Sequence, residues 1–104
     1  MSDKIEVLNV NHPDKTERVD AAKYHAMRAA VIVIAPDEPP GMTARAMMEA
    51  AKPLLPEDLF PGGATSGWWQ KCVQLDLEAR GILTWGKGAP LRFWKTGHDE
   101  GNSR

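Results

Sequence analysis

The sequence predicts an α+β domain, mainly α, with an N-terminal strand, three helices and a C-terminal β-hairpin. Three observations carry this. Apolar residues recur at helical three-and-four spacing in three segments, each ended by proline or glycine. A β-branched run opens the chain, and two short β-rich runs flank a glycine-rich stretch near its end. With 104 residues, the chain is long enough for one domain, assigned to residues 1–97, followed by a tail, 98–104, expected to be disordered. A chain of this size buries about 65% of its unfolded surface, enough for one modest core without disulfides.

The elements follow in order. Lys4 to Val10 carries Ile5, Val7, Leu8 and Val10 and is closed by Asn9, Asn11, His12 and Pro13, so it reads as a short strand. The charged run Asp14 to Val19 leads to Asp20, an N-cap for a helix starting at Ala21, with Val19 and Tyr24 spaced for a hydrophobic staple. Tyr24, Met27, Val31 and Ile34 share one helical face, and Pro36, Pro39 and Pro40 forbid continuation. Thr43 caps a short second helix with a stripe of Ala44, Met47, Met48 and Ala51, interrupted at Pro53. Pro53 to Gly67 reads as an ordered loop pinned by Leu54, Leu55, Leu59 and Phe60.

Trp68 to Ala79 gives the strongest helical pattern. Thr65 or Ser66 can cap it, and Gly81 stands where a left-handed C-terminal residue is wanted. On a helical wheel Trp68, Cys72, Leu75 and Ala79 form an apolar line that Trp69, Val73 and Leu77 widen. Burial of that side leaves Gln70, Lys71, Gln74 and Glu78 as the expected exposed face. Ile82 to Trp85 and Leu91 to Lys95 then form a hairpin whose tip holds Gly86, Lys87, Gly88, Ala89 and Pro90. The N-terminal strand can pair with this hairpin or with a second molecule; both remain open.

This order of elements, together with the segment WWQKCVQLDLEARGIL followed by GKGAPLRFW, resembles winged helix-turn-helix domains, including the N-terminal domain associated with Mrr-type restriction endonucleases. The resemblance covers about a third of the chain and implies a winged-helix-like fold that presents helix three and the hairpin wing to DNA. The connection before helix three exceeds the usual loop of about three or four residues. More broadly, RVDAAKY, LFPGGA and GWWQKCVQLDLEARG resemble a small bacterial family of uncharacterised proteins, a domain of unknown function that implies no activity.

Net charge is -1, which excludes whole-molecule attraction to nucleic acid or membrane, but the distribution is uneven. Residues 1–63 hold seven basic and ten acidic groups, whereas residues 64–97 hold five and two. The basic third makes double-stranded DNA the leading candidate partner. Lys71, Lys87, Arg92 and Lys95 are expected to meet phosphates, and Gln70 and Gln74 to meet base edges. The alternative is a non-enzymatic protein-interaction module, acting on another protein or as a homodimer, anchored by an exposed member of the four tryptophans.

Other chemistry is not expected. GGATSG over Gly62–Gly67 has P-loop glycine spacing, but Trp68 and Trp69 stand where the lysine and hydroxyl belong, leaving only a weak anion site at the helix start. His12, His25 and His98 lack metal-ligand spacing, so no metal or cofactor is expected. Cys72 lies on an apolar line, where cysteine behaves as a small hydrophobe, and the pairs Asp37–Glu38 and Glu57–Asp58 sit in proline-rich turns. No catalytic set converges, and an enzyme is not expected. A lone cysteine and the absence of a long apolar run point to a cytoplasmic protein without membrane contact.

Overall fold

The computed structural model describes residues 3–12, 14–86, 88 and 90–97. Lys87, His98 and the tail 98–104 therefore lie outside the described residues. The order is β1 (Lys4–Val7), β2 (Glu17–Asp20), α1 (Ala21–Ile34), α2 (Ala44–Ala51), α3 (Ser66–Ala79), β3 (Leu83–Trp85) and β4 (Phe93–Lys95). Short 3-10 turns at Lys52–Leu54 and Pro61–Gly63 fill the connection between α2 and α3. The fold is α+β and mainly α, as the sequence predicts.

The N-terminal region differs from expectation. β1 stops at Val7, and the charged run before α1 contains a second strand, with Ile5 opposite Val19 and Val7 opposite Glu17 in an antiparallel ladder. β1 thus pairs with β2 of its own chain, and the C-terminal hairpin forms a separate two-stranded sheet. Val19 is the buried residue of β2; alternation puts Arg18 on the opposite face, whereas Glu17 shares the face of Val19 and is exposed where the strand begins.

Helix boundaries follow their caps. Asp20 accepts from the Lys23 amide, and Thr43 accepts from the Ala46 amide at 3.1 Å. Helix α3 begins at Ser66, with Thr65 in the N-cap position that the sequence allows. Thr65, preceding it, has φ 60° and makes no capping bond; its hydroxyl donates to the Ala64 carbonyl at 2.6 Å. At the other end Gly81 is left-handed, its amide bonding Glu78 O and the next amide, Ile82, bonding Leu77 O, which together close a Schellman motif.

Met27, Val31, Met47, Phe60, Trp69, Val73, Leu77, Leu83 and Phe93 belong to a contiguous core fed by all three helices and both sheets. Leu55 and Leu59 pin the long connection to it, while Leu54 stays outside. The hairpin is tied to the chain before α2: Met42 and Phe93 exchange backbone bonds at 2.9 and 2.7 Å.

Candidate partner groove

The outward side of α3 departs from the sequence expectation at three positions, Trp68, Gln70 and Gln74, while Lys71 is exposed as expected. Gln70 and Gln74 are buried, at 4% and 3% exposure, as are Trp69, Val73, Asp76 and Leu77. Trp68, at the head of the expected apolar line, is 56% exposed, and Lys71 beside it is exposed too. Polar side chains lie inside, and part of the apolar line lies outside.

The physical cause is that each buried polar group has a partner. The Asp76 carboxylate, fully buried, accepts from the Tyr24 hydroxyl, from the Leu8 amide at 2.8 Å and from Arg80 Nε at 2.9 Å. Arg80 also donates to the Glu6 carbonyl at 3.4 Å. Gln70 Nε2 donates to Gln74 Oε1 at 3.2 Å, and Gln74 Nε2 donates to Glu78 Oε2 at 2.9 Å, a ladder running up one side of the helix. Among the described residues no buried side-chain nitrogen or oxygen lacks a partner. Satisfied in this way, the polar groups cost little to bury.

Rotating α3 toward Asp76 turns Trp68, Lys71, Cys72 and Leu75 toward the β1–β2 hairpin. Between them opens a groove of about 370 Å³, walled on the other side by Val7, Leu8, Asn9, His12, Lys15, Thr16 and Glu17. The hairpin wall is ordered locally: Asn9 Oδ1 accepts from the Asn11 amide at 2.8 Å, and His12 and Lys15 amides bond back to Asn9 and His12 carbonyls. It is held to α3 by the Leu8–Asp76 bond.

Trp68 stands edge-on to buried Trp69, ring centres 4.9 Å apart, and Trp69 meets Phe60 edge-on in turn. The exposed indole is therefore supported from beneath by the core. Cys72 lies deeper in the groove wall, and burial, reinforced by the charges of Asp76 and Glu17, pushes its thiol up to about 11. Such a thiol is protonated at neutral pH and is a poor nucleophile. Burial and the Asp76 bond likewise raise the Tyr24 phenol well above its ordinary value.

Among the described residues, the expected nucleic-acid residues are not brought together. Gln70 and Gln74 are inside and spend their amides on the ladder, which corrects their assignment to an exposed reading face. Lys95 is half-buried: its Nζ donates to the Ile32 carbonyl in the last turn of α1 at 2.8 Å and lies 3.4 Å from Asp37. It serves there as a cation at a helix C-terminus. Lys71 borders the groove, whereas Arg92 borders a different depression, lined also by Pro39, Pro40, Pro90 and Trp94. Lys87 lies outside the described residues.

Sequence reasoning missed the hairpin wall, from Leu8 through Glu17. Part of the signal was present, since Lys4–Val7 alternates and Asn9, Asn11 and Pro13 have the composition of a loop, but the second strand offers Val19 as its single apolar residue. Among the described residues no group of three or more His, Cys, Asp or Glu is placed to hold a metal ion, and no helix is long and apolar enough to cross a membrane.

The chain belongs to the family of unknown function DUF6958, whose profile matches residues 4–93. The match takes in the β1–β2 hairpin, all three helices and most of the C-terminal hairpin. No curated protein and no solved structure matches the chain.

Proposed function

We propose that this member of the family is a non-enzymatic protein-interaction module that seats a segment of a partner protein between α3 and the β1–β2 hairpin. The observation that carries this reading is the setting of α3, which buries two glutamines and an aspartate while leaving a tryptophan more than half exposed. Leaving a large indole in water forgoes the transfer free energy that burial supplies. Tryptophan supported from below and open above has the character of an interface anchor. The groove floor of Val7, Leu8, Cys72 and Leu75 extends the apolar surface beside it.

A winged-helix-like DNA-binding role draws less support. Helix α3 would have to offer Gln70 and Gln74 to base edges, and both are engaged inside the protein. Lysine 95 would have to leave the end of α1. A reducing, cytoplasmic setting suits the unpaired Cys72.

The test is site-specific photocrosslinking in the cells that make this protein, with the photoreactive residue at position 71 or, as control, at position 45 on α2. A discrete protein adduct from position 71, absent from position 45 and lost on Leu75→Arg, is the expected result. The same adducts from both positions would overturn the proposal.

A further inference from the structure

Resting on that role, we infer that the groove's occupant is an acidic peptide segment with an apolar anchor, rather than a second copy of this chain. Charge complementarity selects it. The chain as a whole carries -1, yet the described residues lining the groove carry one net positive charge, because Lys15 on the hairpin wall and Lys71 on the helix wall outnumber the single carboxylate of Glu17. Among the described residues neither lysine is ion-paired, in contrast to Lys52 and Lys95. The two lysines belong to opposite walls of a groove lined also by Val7, Leu8, Cys72 and Leu75, so a segment lying along it meets a lysine from each wall and apolar surface between.

Size sets the form of the anchor. About 370 Å³ is near the lower end of the range of roughly 300–1,000 Å³ found for ligand sites. It admits the side chains of a short peptide and leaves its flanks at the rim. Acidic flanks there gain attraction and faster encounter, whereas basic ones are repelled. A second copy applied through the same face brings one net positive patch against another, because a two-fold interface presents the same patch twice. The net charges of the two faces then repel.

The experiment is selection of displayed random short peptides on the intact protein, with every enriched peptide measured against wild type, Trp68→Ala and the double variant Lys15→Glu/Lys71→Glu. Both lysines are exposed, and the double variant is first checked for an unchanged unfolding midpoint. Expected are peptides with an aromatic or leucine beside Asp or Glu, weakened by Trp68→Ala and weakened about tenfold or more by the double reversal at low salt, a deficit that shrinks as salt rises. Binders that need Trp68 but are neutral or basic, or that ignore the reversal, overturn this inference and leave the docking role standing. If every binder ignores Trp68→Ala, or nothing is enriched beyond selection on that variant, the docking role falls with it. Sedimentation that finds a dimer dissociated by Trp68→Ala makes a second copy the occupant and overturns the acidic-peptide assignment.

Discussion

Tyr24 donates its hydroxyl hydrogen to Asp76 across 52 residues of sequence, joining α1 to the last turn of α3. Asp76 also takes the Leu8 amide, so one carboxylate fixes the relative positions of α1, α3 and the end of β1. Removing Asp76 leaves a hydroxyl, an amide and part of Arg80's bonding without their acceptor. Asp76→Ala is expected to cost about 3 kcal/mol or more, and Tyr24→Phe about 2 kcal/mol, since the latter removes a single donor to a charged group. Urea unfolding of the two variants checks the order. A smaller loss for Asp76→Ala than for Tyr24→Phe would mean that the carboxylate does not organise these elements.

Alkaline pH is expected to weaken the fold. The native protein raises the Cys72 thiol from its ordinary 9.0 to about 11 and raises the Tyr24 phenol above its ordinary 10.0, so the unfolded chain releases both protons first. Stability from these groups is complete below about pH 9 and falls as pH rises through the thiol's range, with the phenol adding its loss above about pH 10. Unfolding midpoints between neutral pH and pH 11 measure this, and Cys72→Ser is expected to remove the earlier part of the decline. The rate of thiol alkylation is expected to climb toward a midpoint near 11.

The two adjacent tryptophans separate surface from core. Trp69→Ala empties a buried site against Phe60 and is expected to cost about 4 kcal/mol. Trp68→Ala removes a half-exposed ring whose support is one edge-on contact, at about 1 kcal/mol. Thermal or urea unfolding gives both values. Equal losses would make Trp68 a packing residue and take away the anchor of the groove.

Gly41 marks a close approach. Its φ is +81°, and a Cβ there would lie 2.3 Å from the Phe93 carbonyl oxygen, backbone that cannot step aside without breaking the Met42–Phe93 bridge. Gly41→Ala is expected to cost about 3 kcal/mol, from the left-handed backbone and the clash together. The neighbouring-glycine control is Gly62→Ala, which has φ +62° but open space around it and is expected to cost about 1 kcal/mol.

Much of the fold was legible because its signals are local. Asp20, Thr43 and Gly81 place helix ends through bonds reaching only a few residues, and the Leu83–Lys95 hairpin is announced by β-rich runs on either side of glycine. The orientation of α3 was not legible for the opposite reason. Its wheel is ambiguous: one side carries Trp68, Cys72 and Leu75, the other Val73 and Leu77 bordered by Gln70 and Gln74. Hydrophobicity alone favours burying all the apolar residues and exposing the glutamines. The outcome was decided by Asp76, whose partners at Tyr24 and Leu8 are distant in sequence, and by a glutamine ladder that satisfies itself. Strand β2 was obscured by charge, since three of its four residues are ionisable and Val19 alone marks its inner face.

The groove's two walls differ in kind. The α3 wall is continuous with the core through Trp69, Val73 and Leu77, so a change of backbone there disturbs the whole domain. The opposite wall is mostly the connection between β1 and β2, whose Asn9, His12, Lys15 and Thr16 take no part in the core cluster. Connections of this sort accept new lengths and new side chains far more readily than the elements they join. The architecture is thus a fixed jaw facing an interchangeable one: rewriting residues 9–16 alters which sequences are gripped, while the indole and the hydrocarbon floor stay the same.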